Sequence, residues 1–69
     1  MQSKLFKSKM TLNEDTISSL SELMNIHRNT LAEKIDGKAQ FKQNEIDFFI
    51  AHWKLTPHEV IQIFFDKDE

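Results

Sequence analysis

The chain has 69 residues, nine Lys/Arg against eleven Asp/Glu, three His, one glycine, one proline and no cysteine. A single domain of this size buries only about 60% of the surface its unfolded form exposes. Without cysteine neither a disulfide nor a thiolate-bound zinc can staple it, which predicts an apolar core and a reducing, intracellular setting. The longest apolar run, Phe48 to Ala51, is far short of the ~20 residues of a membrane span, so composition predicts a soluble, cytoplasmic protein.

The formal charge of −2 is unevenly spread: residues 1–42 hold seven Lys/Arg against five Asp/Glu, and 43–69 hold two against six. A nucleic-acid binder recruited by charge alone would be strongly basic. Scarce Gly and Pro with abundant Leu, Ile, Lys and Glu predict an all-α fold, since small β folds lean on glycine-rich hairpins.

Leu5, Phe6 and Met10, interleaved with Lys4, Lys7 and Lys9, predict a short amphipathic first helix that ends at Asn13-Glu14-Asp15. Thr16 is placed to cap a second helix, whose Ile17, Leu20, Leu23 and Met24 fall at helical spacing. Asn25 tolerates the left-handed conformation of a tight turn. A third helix from His27 or Arg28 then points Leu31 and Ile35 inward and stops at Gly37, a residue free to take φ > 0.

After a loop over residues 38–41, Ile46, Phe49, Ile50 and Trp53 form the apolar stripe of a fourth helix, with Phe48 off it. Thr56-Pro57-His58-Glu59 carries three start signals: Thr as N-cap, Pro at the first helical position and Glu three residues after the cap. The fifth helix holds Val60, Ile61, Ile63, Phe64 and Phe65 and runs into an acidic tail, Asp66 to Glu69. Two helices cannot bury all of this apolar surface. Ile17, Phe48, Ile63 and Phe65 are therefore candidates for a dimer or partner interface.

Catalytic or metal-binding patterns are not legible. His27, His52 and His58 lack the i, i+4 pairing of a helical metal site and read as surface or capping residues. Glu45 and Asp47, two apart on a helix, point about 200° from each other, so they read as a solvated helix start. With no nucleophile–base set and no phosphate-binding glycine loop, neither an enzyme nor a cofactor or small-molecule substrate is expected.

The segment TISSLSELMNIHRNTLAEKIDG, residues 16–37, resembles without gaps the helix-turn-helix of the lambda-repressor and Cro-like superfamily. Thr16, Ser21, Asn25, Ile26, Leu31, Ile35 and Gly37 occupy that pattern's places. The remainder, FKQNEIDFFIAHWKLTPHEVIQIFF, looks like the fourth and fifth helices of short phage Cro-type regulators. The resemblance implies one five-helix domain over 1–69 that controls a phage or prophage switch by placing its third helix in the major groove of double-stranded DNA, acting as a homodimer. It implies that Arg28, Asn29 and Glu33 meet base edges, and that Lys34, Lys38 and Lys42 sit near phosphates. Their chemistry fits: Arg reads guanine, Asn reads adenine and Glu accepts from cytosine N4.

Three features suit a different partner. The pattern carries Gln where Ile17 stands, and Ser where His27 stands. Glu33 and Asp36, on the outward face of the third helix, meet DNA phosphate with repulsion unless a donor receives them. They imply a second reading, an antirepressor or modulator of repression that binds the DNA-binding domain of a cognate phage repressor through that acidic face and the spare apolar strip.

Overall fold

Short-range capping chemistry sets where several of the helices begin. Thr16 Oγ1 accepts the backbone N–H of Ser19 at 3.0 Å while the Ser19 hydroxyl accepts that of Thr16 at 2.9 Å. Thr56 and Glu59 make the same reciprocal pair, so two otherwise free amides are satisfied at each helix start. The structure, a computed structural model, describes residues 1–66. Among these are α1 (Ser3–Leu12), α2 (Ile17–Met24), α3 (Arg28–Ile35), α4 (Gln43–Trp53) and α5 (Pro57–Val60), the last continued by a π-helical turn, Ile61–Phe65. The described residues are all-helical with no strand. No helix among them is long and apolar enough to cross a membrane. Of the acidic tail expected at Asp66–Glu69, residues 67–69 lie outside the described residues.

The connections use the conformations their residues permit. Asn25 ends α2 in the left-handed region at φ 58°, and the N–H of Ile26 returns to the Ser21 carbonyl at 3.0 Å. Gly37, at φ 83°, closes α3 by donating to the Lys34 carbonyl, and the N–H of Lys38 donates to that of Glu33. Glu14 and Lys54 also take positive φ, a conformation that is uncommon outside glycine and asparagine.

The core is a set of interlocked rings. Phe6 is fully buried; its ring stacks on Phe41 at 5.4 Å and meets Phe49 and Trp53 edge-on, each at 5.0 Å. Phe64 closes the cluster edge-on against Phe41 at 5.5 Å. Such pairs contribute about 0.5–1.5 kcal/mol each beyond the area they bury. Leu20, Leu31 and Ile35 bring α2 and α3 onto this cluster.

Several side chains depart from the faces their spacing predicts. Leu23, expected inward on α2, is 59% exposed, and Leu5 of α1 is 40% exposed. Ile63, expected on an interface, is buried at 2%. Its place in the π-helical turn, where the Asp66 N–H reaches back five residues to the Ile61 carbonyl at 2.9 Å, turns it into the core and leaves Ile61 and Phe65 outside at 54% and 62%. Ile17 and Phe48 are half-buried against the core rather than free, and Phe48 is covered by its own helix, edge-on to Phe49 and stacked on His52. Of the four apolar interface candidates, Phe65 alone is exposed.

Candidate functional site

The α2–turn–α3 pair presents a set of exposed polar side chains that packing does not use. Ser21 is buried on the inner side of α2, its hydroxyl donating to the Ser18 carbonyl at 2.9 Å. A side chain this small lets the second helix approach closely. Three residues, 25–27, turn the chain, and α3 begins with its free amides met by His27, whose Nδ1 accepts the N–H of Asn29 at 3.1 Å. Leu31, Lys34 and Ile35 form the buried side of α3. Arg28, Asn29, Thr30 and Glu33 are exposed, as are Asp36 and Lys38 just beyond the helix. A groove between the two helices is lined by Ser18, Glu22, Asn25, His27 and Arg28 among others.

Lys34 corrects the expectation set for it. Its Nζ donates to both Glu45 oxygens at 2.6 Å, and the Lys34 and Glu45 side chains are 8% and 10% exposed. The same helical geometry that sends Glu33 outward puts Lys34 one position on, between the inward Leu31 and Ile35, where a long stem can run along the core to a charge on α4. Glu45 is thus not part of a solvated helix start. It accepts from Lys34 and from the backbone N–H of Lys42 at 2.7 Å. Burial pushes its carboxyl up, but the hydrogen bonds from Lys34 and Lys42 outweigh that and hold it below the usual carboxylate range. A buried charge persists only with such partners.

With Lys34 taken inside, the charged groups left exposed around α3 are Arg28 and Lys38 against Glu22, Glu33 and Asp36. Lys7 of α1 stands 3.9 Å from Asp36, both side chains more than half exposed, so this pair is weak. Ser3 Oγ donates to the Ile35 carbonyl at 2.6 Å and fixes the start of α1 against the end of α3. Lys7 thereby stands beside the end of α3, while Lys9 is occupied by Glu59.

Other titratable groups serve the frame. Asp15 accepts from Trp53 Nε1 at 2.7 Å and lies 3.1 Å from His52 Nε2, pinning the α1–α2 turn to the end of α4. The hydrogen bond from Lys9, helped by the Thr56 N–H, holds the Glu59 carboxyl down at about 2. His27 caps α3 and His58 is exposed on α5. Among the described residues no three His, Cys, Asp or Glu side chains gather as metal ligands.

Sequence reasoning singled out Arg28, Asn29, Glu33, Asp36 and Lys38, all of which share the α3 surface. It missed the Lys34–Glu45 pair, whose one signal was a lysine on the inward half of one helix and a carboxylate in the first turn of the next. No protein-family model matches the chain, and no curated protein or solved structure matches it either.

Proposed function

We propose that this chain is a small helix-turn-helix regulator of the lambda-repressor and Cro type, acting in the bacterial cytoplasm on a phage or prophage genetic switch. In this reading α2 crosses the DNA backbone and α3 lies in the major groove, with Arg28, Asn29 and Glu33 on base edges and Lys38 and Lys42 on phosphates. The observation that carries it is the exposure of Arg28, Asn29 and Glu33 along one helix that follows a three-residue turn with Asn25 at φ 58°. Those residues supply the donors and acceptors that major-groove edges recognise. A homodimer suits it, because two-fold operators set half-sites one helical turn apart. The reading calls for no cofactor, metal or chemical step.

The test is binding to duplex DNA, first of random sequence and then of selected sites, titrated from low to physiological salt. Affinity is expected to fall steeply as salt rises, because phosphate contacts release counterions. Arg28→Ala is expected to weaken selected-site binding by about 1–3 kcal/mol and to relax preference at one base pair. No binding at low salt, or an unchanged Arg28→Ala variant, would sink the DNA-reading role.

A second reading is favoured by one observation, the withdrawal of Lys34 into its pair with Glu45, which takes a cation off α3 and leaves Glu33 and Asp36 exposed there. In that reading the face binds the basic DNA-binding domain of a cognate repressor and blocks it. Glu33→Lys is then expected to slow association with that repressor, since exposed charges act mainly on the association rate.

A further inference from the structure

His27 occupies the N-cap of α3, and the hydrogen bond it makes there depends on its protonation. Its Nδ1 accepts the Asn29 N–H, and a ring nitrogen that accepts carries no hydrogen, so the neutral ring holds its proton on Nε2. Serine, threonine or asparagine in this place accepts through oxygen at any ordinary pH. Histidine accepts only while uncharged. A second proton puts an N–H on Nδ1 facing the Asn29 N–H, and it adds positive charge where the free amides of the helix start already concentrate it. The first turn of α3 has no acidic residue to offset that charge. The charged groups that line the groove with the ring are Glu22 of α2 and Arg28 of α3, and Ser18 and Asn25 beside them are neutral.

From these contacts we infer that His27 is a proton-sensitive positioning residue: neutral, it holds the Asn29 N–H at the start of α3, and protonated, it releases that N–H. The importance of this for target recognition rests on the reading above, whereas the release itself is a property of the free chain.

The test is an NMR titration of the isotope-labelled protein from about pH 8 to about pH 5, the range in which histidine side chains act as switches. It follows the ring nitrogens of His27 and the amide of Asn29, with His27→Asn as the comparison. Asparagine is among the best N-caps, so that variant keeps its fold. At the upper end Nδ1 is expected to be bare and Nε2 protonated. On acidification the Asn29 amide is expected to lose its hydrogen-bonded shift with the same midpoint as the His27 ring, and to stay in place in His27→Asn. A proton on Nδ1 at the upper end overturns the inference. So does an Asn29 amide that stands still while His27 titrates, or one that moves equally in the variant. A failure here leaves DNA binding at fixed pH untouched, and an absence of DNA binding leaves this titration untouched.

Discussion

Where α1, α4, the loop before α4 and the π-helical turn meet, Phe6, Phe41, Phe49, Trp53 and Phe64 touch one another ring to ring. Where α2 and α3 meet that frame, the contact is Leu20, Leu31 and Ile35 together with a few polar pins, Ser3 on Ile35 and Lys34 on Glu45. The aromatic half derives most of its stability from apolar area and ring geometry, with the Lys9–Glu59 pair tying α1 to α5 beside it. The α2–α3 half relies on charge and capping for its position. A domain this small can thereby concentrate stability in one half and leave the outer face of the other, Arg28, Asn29 and Glu33, free of any packing duty.

The comparison breaks most readily at its aromatic side. Phe49→Ala removes a fully buried ring that contacts Phe6, Phe41 and Trp53, and it is expected to lower stability by about 3–5 kcal/mol in urea unfolding. That is a large part of what any domain of this length has. A loss below about 1 kcal/mol would mean that the rings are not what holds the frame together.

Next comes the ion pair. Lys34→Ala leaves the Glu45 carboxylate buried without its cation and is expected to cost about 3 kcal/mol, the low end for such pairs because both side chains retain a little water contact. Replacing both partners with apolar residues of similar size, Lys34→Met with Glu45→Leu, is expected to recover most of that loss. A double variant as unstable as the single one would mean that the pair adds more than mutual neutralisation.

The smallest effect sharpens the contrast through pH. The folded chain holds the Glu45 and Glu59 carboxyls below their ordinary value of 4.5, so on acidification the unfolded chain takes up protons first. The stability these groups contribute is fully present above about pH 4.5, and is lost as pH falls through the folded values, about 2 for Glu59. Glu45→Gln and Glu59→Gln are each expected to flatten the acid limb of an unfolding curve, Glu59→Gln the more, because its carboxyl is held at about 2 whereas burial opposes the lowering at Glu45. An acid limb unchanged in both variants would place the acid sensitivity elsewhere.

How much of this was legible in the chain follows the range of the interaction. Thr16, Asn25, Gly37 and the Thr56-Pro57 pair act on amides within a few residues, and each sits where its local chemistry implies. The Ile46, Phe49 and Trp53 stripe is equally local, a matter of helical period. Lys34 and Ile63 were misplaced for reasons that local period cannot supply. Lys34 goes inside because a carboxylate on the following helix is there to receive it. Ile63 goes inside because the turn it belongs to is wound more widely than an α-helix. Leu23 keeps an apolar residue at a helical spacing without a neighbour to cover it. Among the candidate site residues, those that face water were recoverable from helical geometry alone, and the one that does not was recoverable only from the fold.

The N–H of Gln2 donates to the Ile63 carbonyl at 2.8 Å, which makes the first described turn of the chain a neighbour of the last. The entropy of closing so long a loop grows only with the logarithm of its length, so the bond costs little more to close than one spanning half the chain. Its effect lies in the order of events. Helical proteins with mainly local contacts fold fastest, and this one cannot complete its ring cluster until residues from both ends of the chain have found each other. The ring cluster is therefore complete only once the chain has closed upon itself.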